Sequence, residues 1–108
     1  MSKSAITIDQ VVTDGLRPTH PGEILRDELA ELKLSANAFA AKIKVPTNRI
    51  TEILAGRRSI SAETALRLAR FFGTSAQLWM NLQANYDLKT AAAESGKDIV
   101  RQVRPRAA

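Results

Sequence analysis

No cysteine occurs in the 108-residue chain, which excludes disulfide staples and thiolate metal sites. Aromatic residues are scarce at 5%, so the core must be built mainly from Leu, Ile, Val and Ala. Glycines and prolines number only 5 and 4. An Ala- and Leu-rich chain this poor in helix breakers favours an all-helical domain. No stretch approaches the roughly 18 apolar residues of a membrane span, and residues 1–20 lack the continuous apolar core of a secretory signal. The cytoplasm is therefore the expected compartment, with no membrane partner. The single histidine, His20, stands beside Pro21 at a predicted helix start, and no Ser-His-Asp, Cys-His or metal-ligand set can be assembled around it. There is no glycine-rich phosphate loop. Asp27, Glu28 and Glu31 read as a solvated helix face, since acid–base work would need a carboxylate pair in a cleft. These absences point to a binding protein without catalytic residues, metal, cofactor or small-molecule substrate.

What is present is basic charge in blocks. The formal net charge is +5. Residues 42–70 alone carry a balance of +5, from Lys42, Lys44, Arg49, Arg57, Arg58, Arg67 and Arg70 against Glu52 and Glu63. Residues 97–108 carry a further +3, and the remainder is net acidic. Clustered positive charge is the footprint of a site for a polyanion, although a solvated charged surface gives the same composition.

The length fits one domain with short extensions. Residues 1–18 read as an N-terminal arm, 19–95 as the helical domain, and 96–108 as a basic tail that orders on a partner. Apolar spacing predicts five helices. The first runs from about Pro21 to Lys33, with proline at its first position and Glu23 in its first turn. The second starts at the N-cap Ser35 and ends near Lys44, burying Ala36, Phe39, Ala40 and Ile43. The third runs from about Pro46 to Ala55 with Ile50, Ile53 and Leu54 inward, and Gly56 stops it. The fourth spans about Ser61 to Phe72. The fifth begins after Ser75 and reaches about Ala93, with Leu78, Trp79, Leu82 and Tyr86 as its apolar face and Gly96 closing it.

The second and third helices, joined by a tight turn, make a helix-turn-helix. In that motif the first helix braces the second, whose N-terminal residues reach base edges in the DNA major groove. Thr47, Asn48, Arg49, Thr51 and Glu52 are placed for base reading. Asparagine suits adenine, arginine suits guanine, and threonine offers a hydroxyl and a methyl. Glu52 either accepts from a cytosine amine or repels phosphates. Arg57 and Arg58, directly after the helix stop, are candidates for phosphate contacts that position the protein without reading sequence. Ser35 and Asn37 at the start of the second helix are candidates for a further phosphate; a simple cap is the competing role for Ser35. Trp79 fits a core plug or a dimer seam, and Tyr86 and Leu88 are the preferred seam residues.

Three runs carry a family resemblance: RPTHPGEILRDEL (17–29), VPTNRITEILAGRRSIS (45–61) and AETALRLARFFGTSAQLWMNLQANYDL (62–88). The region 17–90 resembles a HigA-type antitoxin of the Cro/C1-type helix-turn-helix superfamily. The resemblance implies a five-helix, lambda-repressor-like fold and a homodimer on double-stranded operator DNA. It further implies repression of the protein's own operon and silencing of a RelE-like, HigB-type toxin that cleaves mRNA on ribosomes. By position, Thr47, Asn48, Thr51 and Glu52 match the base-reading places of the superfamily. One departure is Lys44, where the superfamily often has a turn glycine, so a differently shaped turn is expected. The alternative function is a stand-alone phage-repressor-like regulator with no toxin partner.

Overall fold

A computed structural model describes residues 17–107, and the expected N-terminal arm falls almost wholly outside them. The described residues form five α-helices: α1 (Pro21–Leu32), α2 (Ala36–Ile43), α3 (Thr47–Leu54), α4 (Ala62–Phe72) and α5 (Ala76–Gln102). The chain divides into two compact units, Thr19–Ala84 and a second that contains Asn85–Ala108. The first holds α1 to α4 with the start of α5. The second holds the rest of α5.

The helix starts follow from local chemistry. Ser35 and Ser61 accept from the backbone N–H groups of Ala38 and Thr64, so each hydroxyl satisfies a donor that the helix itself leaves open. His20 does this for α1: its Nδ1 accepts from Gly22 N at 2.9 Å, while Glu23 accepts from His20 N at 3.3 Å. This reciprocal arrangement is a capping box with histidine in the usual Ser or Thr place.

The core of the first unit draws on every helix. Leu25, Phe39, Ile50, Ile53, Leu68 and Trp79 are all buried. The few aromatics are grouped. Phe39 meets Phe71 edge-on at 5.1 Å between ring centroids, and Phe72 lies 5.7 Å from Phe39 and 5.9 Å from Trp79. Such pairs add about 0.5–1.5 kcal/mol each beyond simple burial. Trp79 also donates its indole N–H to Thr74 Oγ1 at 3.2 Å.

Helix α5 departs from the expectation at three places. It does not close at Gly96. It runs on to Gln102, and the basic segment read as a tail is helical through that residue. Gly96 is buried within it. An interior glycine costs a helix only about 1 kcal/mol relative to alanine, which a long helix tolerates. Leu78, expected on the buried face, is 44% exposed. Gln83, which hydrophobic spacing cannot flag, is buried and accepts from Ile60 N at 2.8 Å. That bond ties the loop before α4 to α5.

Candidate nucleic-acid interface

Helix α2, the turn and α3 form the helix-turn-helix. The turn places Lys44 at φ 64° and ψ 47°, the left-handed conformation that glycine adopts most easily. The lysine therefore takes the glycine geometry instead of reshaping the turn. Val45 N donates to Ala40 O at 3.0 Å and closes the end of α2.

Helix α3 is fixed at its inner face and at its C-terminus. Ile50 and Ile53 are fully buried. Helix α1 approaches the end of α3 so closely that a Cβ on Gly22 would fall on the carbonyl oxygen of Ile53. Gly56 N donates to Ile53 O, and Arg57 N to Glu52 O, with Gly56 at φ 77°. These two bonds make a Schellman stop. Arg26 then reaches across from α1 and donates to Leu54 O at 2.9 Å. Arg67 of α4 does the same for α2, donating to Ile43 O at 2.9 Å. These two arginine caps join elements far apart in the chain and leave no local signal in the sequence.

The expected base-reading residues sort by what they already hold. Advancing 100° per residue, Thr47, Asn48, Thr51 and Glu52 fall within one 140° arc of α3. Asn48 and Thr51 are exposed, and the Asn48 side-chain amide forms no hydrogen bond among the described residues. Thr51 donates its hydroxyl to Asn48 O at 3.2 Å. Thr47 donates to Asn37 Oδ1 at 2.7 Å, which joins the starts of α3 and α2. Arg49 and Glu52 are engaged. Arg49 pairs with Glu63 at 3.4 Å, and Arg58 pairs with Glu52 at 2.7 Å.

The basic block is thus less free than its formal charge. Arg67 is committed to Ile43 O and to Glu63, the latter at 3.1 Å. Ser35 serves as the α2 cap with its oxygen, and its O–H stays available to donate. Arg57 is exposed and forms no side-chain bond among the described residues. In the second unit Tyr86 is half-buried and Leu88 is 58% exposed. Among the described residues no group of His, Asp and Glu is arranged to hold a metal ion.

A family model described as helix-turn-helix matches residues 25–79, which takes in α2, α3 and α4. The chain belongs to the helix-turn-helix family. Within it, the chain is similar to the HigA antitoxins. A solved HigA-family addiction-module antidote protein from Coxiella burnetii is 56% identical with a TM-score of 0.83, covering 84% of this chain and all of that one. Antitoxin HigA of Pseudomonas aeruginosa, solved with the higBA promoter, is 50% identical with a TM-score of 0.82, again over 84% of this chain and all of that one. The virulence-associated protein I of Dichelobacter nodosus is 49% identical over 87 residues, 80% of this chain and 79% of that protein.

Proposed function

We propose that the chain is the antitoxin of a toxin–antitoxin module, binding operator DNA as a homodimer and repressing its own operon. In this reading Asn48, Thr51 and Thr47 read base edges, and Glu52 and Arg49 join them once their ion pairs open. Arg57 grips phosphate, Arg58 does so in exchange for Glu52, and Ser35 and Asn37 contact the neighbouring backbone. Tyr86 and Leu88 contribute to the dimer seam. The protein works in the cytoplasm as a binding partner, not a catalyst, and its second partner is a HigB-type toxin encoded beside it.

The observation that carries the DNA reading is a single exposed polar face on α3, a helix held at its C-terminus by Gly56 and Arg26, with the unpaired Arg57 directly beyond it. The P. aeruginosa HigA bound to its promoter supports DNA as the ligand, and that likeness extends to the antitoxin role.

The test is binding to the DNA just upstream of the protein's own operon against a scrambled duplex at two salt concentrations. A preference of about 10³ or more, over two half-sites about 34–36 Å apart, is expected. Equal binding to both duplexes that disappears as salt rises would reduce the reading to counterion-driven attraction. For the toxin, the product of the adjacent reading frame should co-purify with the chain and cease to arrest growth. Failure of both would leave a stand-alone regulator.

A further inference from the structure

On the first unit, a groove of about 480 Å³ lies between the end of α2 and one face of α4; none of its lining residues is assigned to DNA, although Glu63 on its wall pairs with Arg49. Its apolar lining is the buried Ile43 with Leu66, 62% exposed, and Phe71, 36% exposed. Phe71 is held by edge-on contacts with both Phe39 and Phe72, so this part of the wall is rigid. Its rim is cationic. Glu63 is already shared between Arg49 and Arg67, which leaves Lys42, Lys44 and Arg70 without an ion pair among the described residues. Exposed leucine and phenylalanine ringed by three uncompensated cations suit an acidic, amphipathic helix.

The same unit carries such a ridge. On α1, Asp27, Glu28 and Glu31 are exposed and have no ion-pair partner among the described residues. At 100° per residue they share one 140° arc with Leu32, which is 49% exposed. Three free carboxylates beside one leucine on α1 match three free cations around Leu66 and Phe71. Within one chain the two surfaces do not meet, since each is exposed and unpaired.

We propose that this groove takes the Asp27–Leu32 ridge of a second copy of the chain. The contact is head-to-tail: it occupies one groove and leaves the second copy's own groove open, so it does not close on itself. Four residues on the ridge and five around the groove are far fewer than the roughly 20–30 a side of a stable interface, which makes the contact transient in free solution. It gains force when DNA holds copies side by side at high effective concentration, and it then couples occupancy of neighbouring operators.

The test uses the full chain and no DNA, so it is separate from the operator reading. NMR spectra are recorded from micromolar to millimolar concentration at low ionic strength. Signals of Leu32, Leu66 and Phe71 are expected to shift together with concentration, and to stop shifting at about 1 M salt, where the screening length is about 3 Å. Arg70→Glu and Glu28→Arg, both at exposed positions outside the DNA-contact set, should each weaken the association about tenfold. Mixing the two variants should restore it, because the contact is head-to-tail and the intact groove of the Glu28→Arg chain then meets the intact ridge of the Arg70→Glu chain. Wild-type spectra that do not change with concentration would overturn the proposal in favour of a foreign acidic partner. Shifts confined to other residues, or a mixture no tighter than the single variants, would overturn it too. So would an Arg70→Glu variant that self-associates normally but loses affinity for a single operator, which would make the groove a phosphate contact.

Discussion

Gly22→Ala sets helix propensity against packing, and the two give opposite signs. Gly22 is the second residue of α1, where alanine is the better helix former by at most about 1 kcal/mol. On propensity alone the variant should be more stable. The structure predicts the reverse. The new methyl would fall on Ile53 O and lie 2.8 Å from its carbonyl carbon and 3.0 Å from His20 Nδ1. Ile53 O belongs to rigid backbone and already accepts from Gly56 N in the stop of α3. Nothing there can rotate aside, so α1 and α3 must separate, and overpacking of this kind costs about 1–3 kcal/mol. The net expectation is a loss of about 2 kcal/mol, or a Tm lower by roughly 10 °C for a domain of this size. Thermal unfolding followed by circular dichroism measures it, with a urea series to confirm an unchanged m-value. A Tm equal to or above wild type would refute the reasoning, because it would mean that α1 does not approach α3 as closely as described.

Three further substitutions probe the interface. Asn48→Ala should lose about 1–3 kcal/mol against the preferred site and relax one base position in a selection experiment; unchanged affinity and specificity would remove Asn48 from the reading set. Arg57→Ala should weaken all duplexes alike and lower the salt slope by about one unit, whereas an effect confined to one base pair would make Arg57 a reader of sequence. Lys44→Gly relieves a left-handed lysine but frees the unfolded chain, so stability should change by no more than about 1 kcal/mol. A larger loss in chemical denaturation would show that the lysine stem packs in the turn.

The first four helices were legible because their boundaries are written locally. Pro21, Ser35, Ser61 and Gly73 each act on the adjacent backbone, and a residue pattern can show that. Lys33, at φ 57°, ends α1 one position before its expected close, a shift of a single residue. The end of the fifth helix is not legible in the sequence, because glycine permits a stop without imposing one. Gly73 has φ 73° and ends α4, while Gly96 continues α5. The exposed face of α3 was legible from the spacing of Ile50, Ile53 and Leu54. The partners of that face were not. Arg26 with Leu54, Arg67 with Ile43 and Arg49 with Glu63 are 28, 24 and 14 residues apart, and only the tertiary fold brings them together.

Those partners change what the basic charge means. A count over residues 42–70 treats seven cations as equivalent, yet the fold gives them different jobs. Arg67 holds the end of α2, and moving it to a phosphate would leave the Ile43 carbonyl without that donor. Arg49 and Arg58 sit in exposed ion pairs, with side-chain exposures of 30% and 45%. Pairs of this kind contribute only about 0–1 kcal/mol, so a phosphate or base edge can take over either arginine at small cost. When Arg58 leaves, Glu52 is released on the same face as Asn48 and is then free to accept a hydrogen bond. On the proposed function, phosphate gripping by Arg58 and base selection by Glu52 would be linked through that one carboxylate. Lys42, Lys44 and Arg70 remain unpaired around the Leu66–Phe71 groove, so their charge adds to the field around the domain without belonging to the reading face. The salt dependence of operator binding should accordingly follow Arg57 and the exchange at Arg58, not the full formal charge of the segment.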